Sequence, residues 1–115
     1  MARSHGERRR YPRFPADNPV LLKRVAGDGP EAPARTLEIG AGGCKLVHER
    51  ALGVGTRVEL AISAGGRTIR ALGRVVFELP LRSARFQLGV AFLQMAPEDR
   101  DTLAALLDGQ IAATP

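Results

Sequence analysis

Four arginines lie within six positions near the start of the chain, in the segment RRRYPR at residues 8–13. Arginine carries a planar, permanently charged guanidinium whose donors match phosphate oxygens and the O6/N7 edge of guanine. Its plane also stacks on a base. A guanine nucleotide is therefore the first candidate ligand for this segment. The alternative is a solvated basic tail, which an arginine cluster of this kind can also form.

Two prolines restrict the backbone around these arginines. Pro12 and Pro15 disfavour helical conformation in the residue that precedes each of them. The segment should therefore be a stiff, extended arm that lies across a surface. The first six residues show no apolar periodicity, and we expect them to form a disordered tail.

A second segment that could contribute to a binding site is the glycine-rich EIGAGG at residues 38–43. Glycine reaches backbone angles that are closed to other residues, so the chain should turn tightly or bulge here. This turn is the expected second wall of a binding site. Gly42 and Gly43 either let a ligand approach the backbone closely or serve the turn alone, and the sequence leaves both interpretations open.

The arginine pair Arg9 and Arg13, in R-x-x-x-R spacing, together with the following DNPV at residues 17–20, resembles the start of PilZ domains. These are small bacterial β-barrels that bind the second messenger cyclic di-GMP. The likeness extends from about residue 7 to residue 107. The second motif of the family, Asp or Asn followed by x-Ser-x-x-Gly, falls on residues 38–43, where only the final glycine, Gly43, fits the pattern.

The resemblance implies a role for each matching position. Arg9 and Arg13 would clamp the ligand, and an arginine at position 8 is similar to that of family members that take up an intercalated pair of ligand molecules. Glu38 would replace the acceptor for the guanine N1 and N2 hydrogens, one methylene further out, and Gly40 lacks the serine hydroxyl of the motif. The candidate ligand-binding residues are Arg8, Arg9, Arg13, Glu38, Gly40, Gly42 and Gly43.

Composition limits the other possibilities. The 115 residues suit one domain, and no apolar run approaches the roughly 20 residues of a membrane-spanning helix. One cysteine cannot form an internal disulfide and no secretory signal is evident, so we expect a cytoplasmic protein. The net charge of +5 and the pI near 10.6 favour an anionic partner for the arm. Cys44 is expected to be a core residue, whereas His5 and His48 show no metal-ligand spacing and are expected to face solvent.

Alternating apolar residues predict six short antiparallel strands, because every connection is too short for a crossover helix. A proline followed by two carboxylates opens an amphipathic helix near residue 97. The predicted fold class is all-β with a C-terminal helix, a six-stranded antiparallel PilZ-type β-barrel with the helix packed outside it. The predicted segments are a tail at 1–6, a domain at 7–109 with its arm at 7–18, barrel at 19–95 and helix at 97–108, and a frayed tail at 110–115. The predicted strands lie near residues 19–25, 34–39, 44–48, 56–62, 67–78 and 86–92.

Three functions remain open. The first is a cyclic di-GMP receptor that relays the signal to a separate partner protein. The second is a degenerate PilZ-like adaptor that does not bind the ligand, which the changes at Glu38 and Gly40 favour. The third is a small basic barrel that binds single-stranded nucleic acid, although one Tyr, four Phe and no Trp equip the chain poorly for stacking bases. No catalytic constellation, metal site or cofactor is expected, and an enzyme is the least favoured class.

Overall fold

The computed structural model of the chain describes residues 13–27 and 29–111. It contains seven β-strands, a short 3-10 turn at Arg82–Ala84 and one α-helix. The strands are β1 (Arg13–Pro15), β2 (Pro19–Arg24), β3 (Ala32–Gly40), β4 (Gly43–His48), β5 (Arg57–Ala64), β6 (Arg67–Pro80) and β7 (Phe86–Gln94), and the helix is α1 (Pro97–Leu107).

Six of these strands close into an antiparallel barrel. The order β3-β2-β5-β6-β7-β4 is completed by the pairing of β4 with β3. The remaining strand, β1, pairs with the carboxyl-terminal half of β3, and β2 pairs with its amino-terminal half. The predicted fold class is therefore confirmed, with one additional strand at the edge of the barrel.

Regular alternation explains why these segments form strands around one core. In β5, Val58, Leu60 and Ile62 are buried. Arg57 and Glu59, which alternate with them, are exposed to solvent. Successive side chains of a strand point to opposite faces, so the apolar set fills the barrel and the charged set covers it. The largest fully buried apolar side chains are Ile39, Leu46, Val58, Ile62, Ile69, Val75, Leu88 and Val90.

His48 does not face solvent, and the prediction for this residue was wrong. Its side chain is only 4% exposed. The inward-facing positions of β4 are Cys44, Leu46 and His48, so the strand's own alternation carries the imidazole into the barrel end. There Nδ1 lies 3.0 Å from the carbonyl oxygen of Arg50 and 3.2 Å from its backbone nitrogen.

A bulge in β6 changes the face on which Phe77 lies. In a regular strand Phe77 would share the face of Val75, two residues earlier, but the pairing with β7 shifts register between these two residues. Val75 stands opposite the buried Val90, and Phe77 stands opposite Gly89. An inserted residue moves the side chains that follow it to the other face, so Phe77 lies on the outside of the sheet.

The helix begins where the sequence indicated. Pro97 occupies its first turn, and the carboxylates of Glu98 and Asp99 lie near its amino terminus, where the helix dipole favours negative charge. Leu103 and Leu106 are buried against the barrel. Within residues 13–27 and 29–111, no helix is long and apolar enough to cross a membrane.

Candidate functional site

Strand β1 brings the end of the basic arm against the glycine-rich segment. In its antiparallel register with β3, Arg13 stands opposite Gly40 and Pro15 stands opposite Glu38. Arg13 is half-buried. The structure thus places one predicted arginine beside two predicted motif positions, while Arg8 and Arg9 lie outside the described residues.

The three residues between β1 and β2 fix this position. Ala16 donates its backbone N–H to the carbonyl oxygen of Leu37 at 3.0 Å. The hydroxyl of Thr36 donates to the carbonyl oxygen of Ala16 at 2.6 Å and accepts from the backbone N–H of Asn18 at 2.8 Å. Asn18 is fully buried, and its Nδ2 donates to the carbonyl oxygen of Ser63 at 2.9 Å. These hydrogen bonds rigidify the joint, so the start of β2 anchors Arg13.

Glu38 forms a cross-strand ion pair that was not predicted from the sequence. The register between β3 and β4 shifts between Thr36 and Glu38, which places Glu38 directly opposite Lys45. Oε2 of Glu38 lies 3.6 Å from Nζ of Lys45, and the two side chains are 29% and 20% exposed. Lys45 occupies an outward position two residues after the motif glycine, so strand parity alone could have identified it as a neighbour of the site.

Lys45 has an aromatic neighbour on its other side. It stands opposite Gly89 of β7, and Gly89 in turn stands opposite Phe77 of β6. A Cβ atom built on Gly89 would fall against the Phe77 ring, so the ring occupies the space above the glycine. Glu38, Lys45, Gly89 and Phe77 therefore form one continuous row on the outer surface of the barrel.

The motif glycines have different local roles. Gly40 is buried at the end of β3, and it is not among the described glycines with positive φ. Gly42 accepts the backbone N–H of Phe92 at 2.9 Å through its carbonyl oxygen. A Cβ atom on Gly43 would lie 2.3 Å from the carbonyl oxygen of Val90, so a glycine is required here for the close approach of β4 and β7.

Cys44 lies directly beneath this surface and is a core residue, as predicted. Its side chain is fully buried, and burial raises the pKa of its thiol from 9.0 to about 12. The positive charge of Arg13 lowers the pKa by a smaller amount. The thiol is therefore protonated at neutral pH and is a poor nucleophile, while the guanidinium of Arg13 is near enough to influence it.

A groove of about 930 Å³ adjoins this row. Its lining includes Pro15, Leu21, Leu37 and Arg35, and it does not include Arg13 or Glu38. Nε of Arg35 is already 2.6 Å from a carboxylate oxygen of Asp17. Arg85 also lines the groove, but the two motif segments meet at Arg13 and outside the groove, so the surface at Arg13 is the better candidate.

The sequence matches the PilZ domain family over residues 7–109. The chain belongs to the PilZ domain family. No curated protein sequence matches it. Within the described part of this PilZ domain, no group of three or more His, Cys, Asp or Glu side chains could hold a metal ion.

Several solved structures share the fold. The Bacillus subtilis inhibitor of motility MotI/DgrA is 19% identical with a TM-score of 0.75, and the match covers 96% of this chain and 52% of that chain. The PilZ domain spans about half the length of that protein. The PilZ domain of YcgR from Escherichia coli, solved with cyclic di-GMP, is 18% identical with a TM-score of 0.69 and coverages of 89% and 90%. The PilZ domain of CeSA from a cellulose-synthesizing bacterium is 17% identical with a TM-score of 0.62 and coverages of 85% and 96%.

Proposed function

We propose that this PilZ domain is a cytoplasmic cyclic di-GMP receptor that relays the signal to a separate protein. The observation that carries the proposal is the register of β1 on β3, which places Arg13 opposite Gly40 and Pro15 opposite Glu38. Two segments that are far apart in sequence, and that correspond to the two motifs of the family, therefore meet on one surface. The structure of the YcgR PilZ domain with cyclic di-GMP supports the choice of ligand.

Each candidate residue has a defined task in this proposal. Arg9 and Arg13 hold phosphates and the guanine edge, and Arg8 supports a second, intercalated ligand molecule. Glu38 accepts hydrogens from guanine, and the backbone at Gly40, Gly42 and Gly43 forms the floor of the site. The task is binding and involves no bond making or breaking, so the protein acts as a receptor and not as an enzyme.

The site also suggests how binding produces a signal. In the described part of the arm, Arg13–Pro15 pair with β3, and the sequence before them contains Arg8 and Arg9. Ligand contacts from these two arginines would tie the arm to the barrel surface. A partner protein that recognises the tied arm would then bind the liganded state in preference to the free state.

Titration calorimetry with cyclic di-GMP tests the proposal. Each charge-assisted hydrogen bond contributes on the order of 1.5–3 kcal/mol, so Arg9→Ala and Arg13→Ala should each weaken binding by more than about tenfold. The matched control is Arg70→Ala, because Arg70 is an exposed arginine on the outer face of β6. Unchanged affinity in both arm variants would refute the site assignment.

The same titration measures the number of ligand molecules bound. If Arg8 supports an intercalated pair, the wild type binds two cyclic di-GMP molecules per chain and Arg8→Leu shifts the ratio toward one. A ratio of one in the wild type would remove the intercalated pair from the proposal and leave the receptor function intact.

A second candidate is a PilZ adaptor that works through protein contacts without ligand. It is favoured by the ion pair that engages Glu38 with Lys45 and by the absence of a hydroxyl at Gly40. A folded wild-type protein that gives no heat with cyclic di-GMP, at concentrations up to the millimolar range, would support the adaptor over the receptor.

A further inference from the structure

The Glu38–Lys45 pair offers the hydrogen-bonding pattern that is complementary to the Watson–Crick edge of guanine. That edge presents, in order, the N2 amino donor, the N1–H donor and the O6 acceptor. The carboxylate of Glu38 offers acceptors only, and the ammonium of Lys45, 3.6 Å from Oε2, offers donors only. The two groups thus stand next to each other in the order that guanine requires.

We infer that the Glu38–Lys45 ion pair is the guanine-reading element of the site. Oε1 of Glu38 is buried, so Oε2 is the oxygen that accepts a hydrogen bond from N1–H, and Lys45 Nζ donates to O6. This inference rests on the receptor function proposed above and assigns base recognition to a lysine outside both family motifs. The ion pair remains formed when the base binds, because a carboxylate oxygen has two lone pairs and an ammonium has three donors.

Lys45 is held in the orientation that this role requires. Its stem lies between Glu38 on β3 and Gly89 on β7, and the ring of Phe77 fills the space above Gly89. With only 20% of its side chain exposed, Lys45 has little freedom to swing into solvent. A donor held in place before the ligand arrives loses less entropy on binding than a free surface lysine.

The arrangement compensates for the missing serine. Gly40 removes one neutral hydrogen bond from the motif, and Lys45 supplies a charge-assisted one close by, across the β3–β4 pair. It also discriminates between purines. With adenine, the acceptor N1 would face the carboxylate of Glu38 and the N6 amino donor would face the ammonium of Lys45, so both contacts become repulsive.

Affinities for two ligands separate base recognition from simple charge attraction. Cyclic di-GMP and cyclic di-AMP are titrated against the wild type and Lys45→Met, and cyclic di-AMP is also measured by competition up to millimolar concentration. We expect Lys45→Met to bind cyclic di-GMP roughly ten- to a hundredfold more weakly, since one charged hydrogen bond to O6 is lost. The affinity for cyclic di-AMP does not fall, so the preference for guanine narrows by tenfold or more.

Two further variants complete the experiment. Lys45→Gln retains an N–H donor for O6 and should recover part of the loss. Lys23→Met removes the same charge from an exposed position on β2, opposite Glu59, and should leave both affinities unchanged. The melting temperature of each variant establishes that it is folded.

The outcomes distinguish this inference from the receptor proposal. If the wild type does not bind cyclic di-GMP, the receptor function fails and the inference falls with it. If the wild type binds and Lys45→Met binds equally well, the inference alone is wrong. Equal losses for cyclic di-GMP and cyclic di-AMP would show that Lys45 contacts a phosphate, and would also overturn it.

Discussion

The barrel carries two lysine–glutamate pairs in matching register, and they behave differently. Glu38 of β3 stands opposite Lys45 of β4, and Glu59 of β5 stands opposite Lys23 of β2. The first pair is half-buried, with 3.6 Å between Oε2 and Nζ. The second pair is exposed, and no ion pair joins its two side chains in the described part of the chain.

The difference shows that register brings two charges opposite each other, but packing decides whether they meet. Lys45 is confined by the Phe77 ring above Gly89, so little side-chain entropy remains to be lost in pairing. Lys23 has no such confinement, and two long exposed side chains must lose their freedom to pair in water. Charge alone does not identify the site, because charged side chains also stand opposite each other elsewhere on the outer surface. Arg57 and Arg74 are such a pair.

The largest effect is expected from disturbing the close strand approach beside Lys45. A Cβ atom on Gly43 would lie 2.3 Å from the carbonyl oxygen of Val90, which belongs to the backbone and cannot rotate away. Gly43→Ala should therefore destabilise the fold by about 1–3 kcal/mol, the usual cost of overpacking. Thermal and urea unfolding measure this change.

Gly29→Ala is the matched control for this substitution. Nothing lies within 4 Å of a Cβ atom at Gly29, and its φ is not in the positive range. Its stability should stay near that of the wild type or rise slightly. If Gly43→Ala were as stable as Gly29→Ala, β4 and β7 would not be as rigidly apposed as the confinement of Lys45 requires.

The barrel could be predicted because the sequence patterns that indicate its strands and helix lie within short segments of the chain. Alternation in β5 separates Val58 from Arg57, and the proline before two carboxylates starts α1. The alternation of β4 also indicates that His48 is buried, but isolated polar residues are usually exposed, so its residue type predicted the opposite.

The ion pair could not be predicted because it depends on long-range register. Glu38 stands opposite Lys45 only because the pairing of β3 with β4 shifts at Leu37, and no residue type in that segment demands a bulge. The outward position of Phe77 depends on a similar shift in β6. The strand β1 is three residues long and ends in proline, so its own propensity does not identify it, and the contacts of the following joint place it on β3.

A smaller effect should appear at alkaline pH, in the core beneath the half-buried pair. Burial raises the pKa of the Cys44 thiol to about 12, above its ordinary value of 9.0. As pH rises above 9, the unfolded chain releases this proton and the folded chain retains it, so stability falls with increasing pH. Between pH 8 and pH 10 the contribution of Cys44 should decrease by about 1 kcal/mol.

Cys44→Ala isolates this contribution, because every other titrating group is present in both proteins. The difference in unfolding free energy between the wild type and Cys44→Ala should narrow or reverse as pH rises from 8 to 10. A difference that does not change with pH would mean that the thiol ionises equally readily in the folded barrel, and that this part of the core is open to water.

The smallest effect tests the comparison directly through two double-mutant cycles. One cycle combines Glu38→Gln with Lys45→Met, and the other combines Glu59→Gln with Lys23→Met. Exposed pairs contribute roughly 0.2–1 kcal/mol at most, and many contribute nothing measurable. We expect a coupling free energy of about 0.5–1 kcal/mol for the half-buried pair and less than about 0.2 kcal/mol for the exposed pair, both from urea unfolding without ligand.

Because each cycle subtracts the single-variant effects, other contacts of Glu38 cancel and only the pairwise free energy remains. Equal coupling in the two cycles would show that confinement beside Phe77 does not strengthen the pair, and that register alone accounts for the geometry at Glu38.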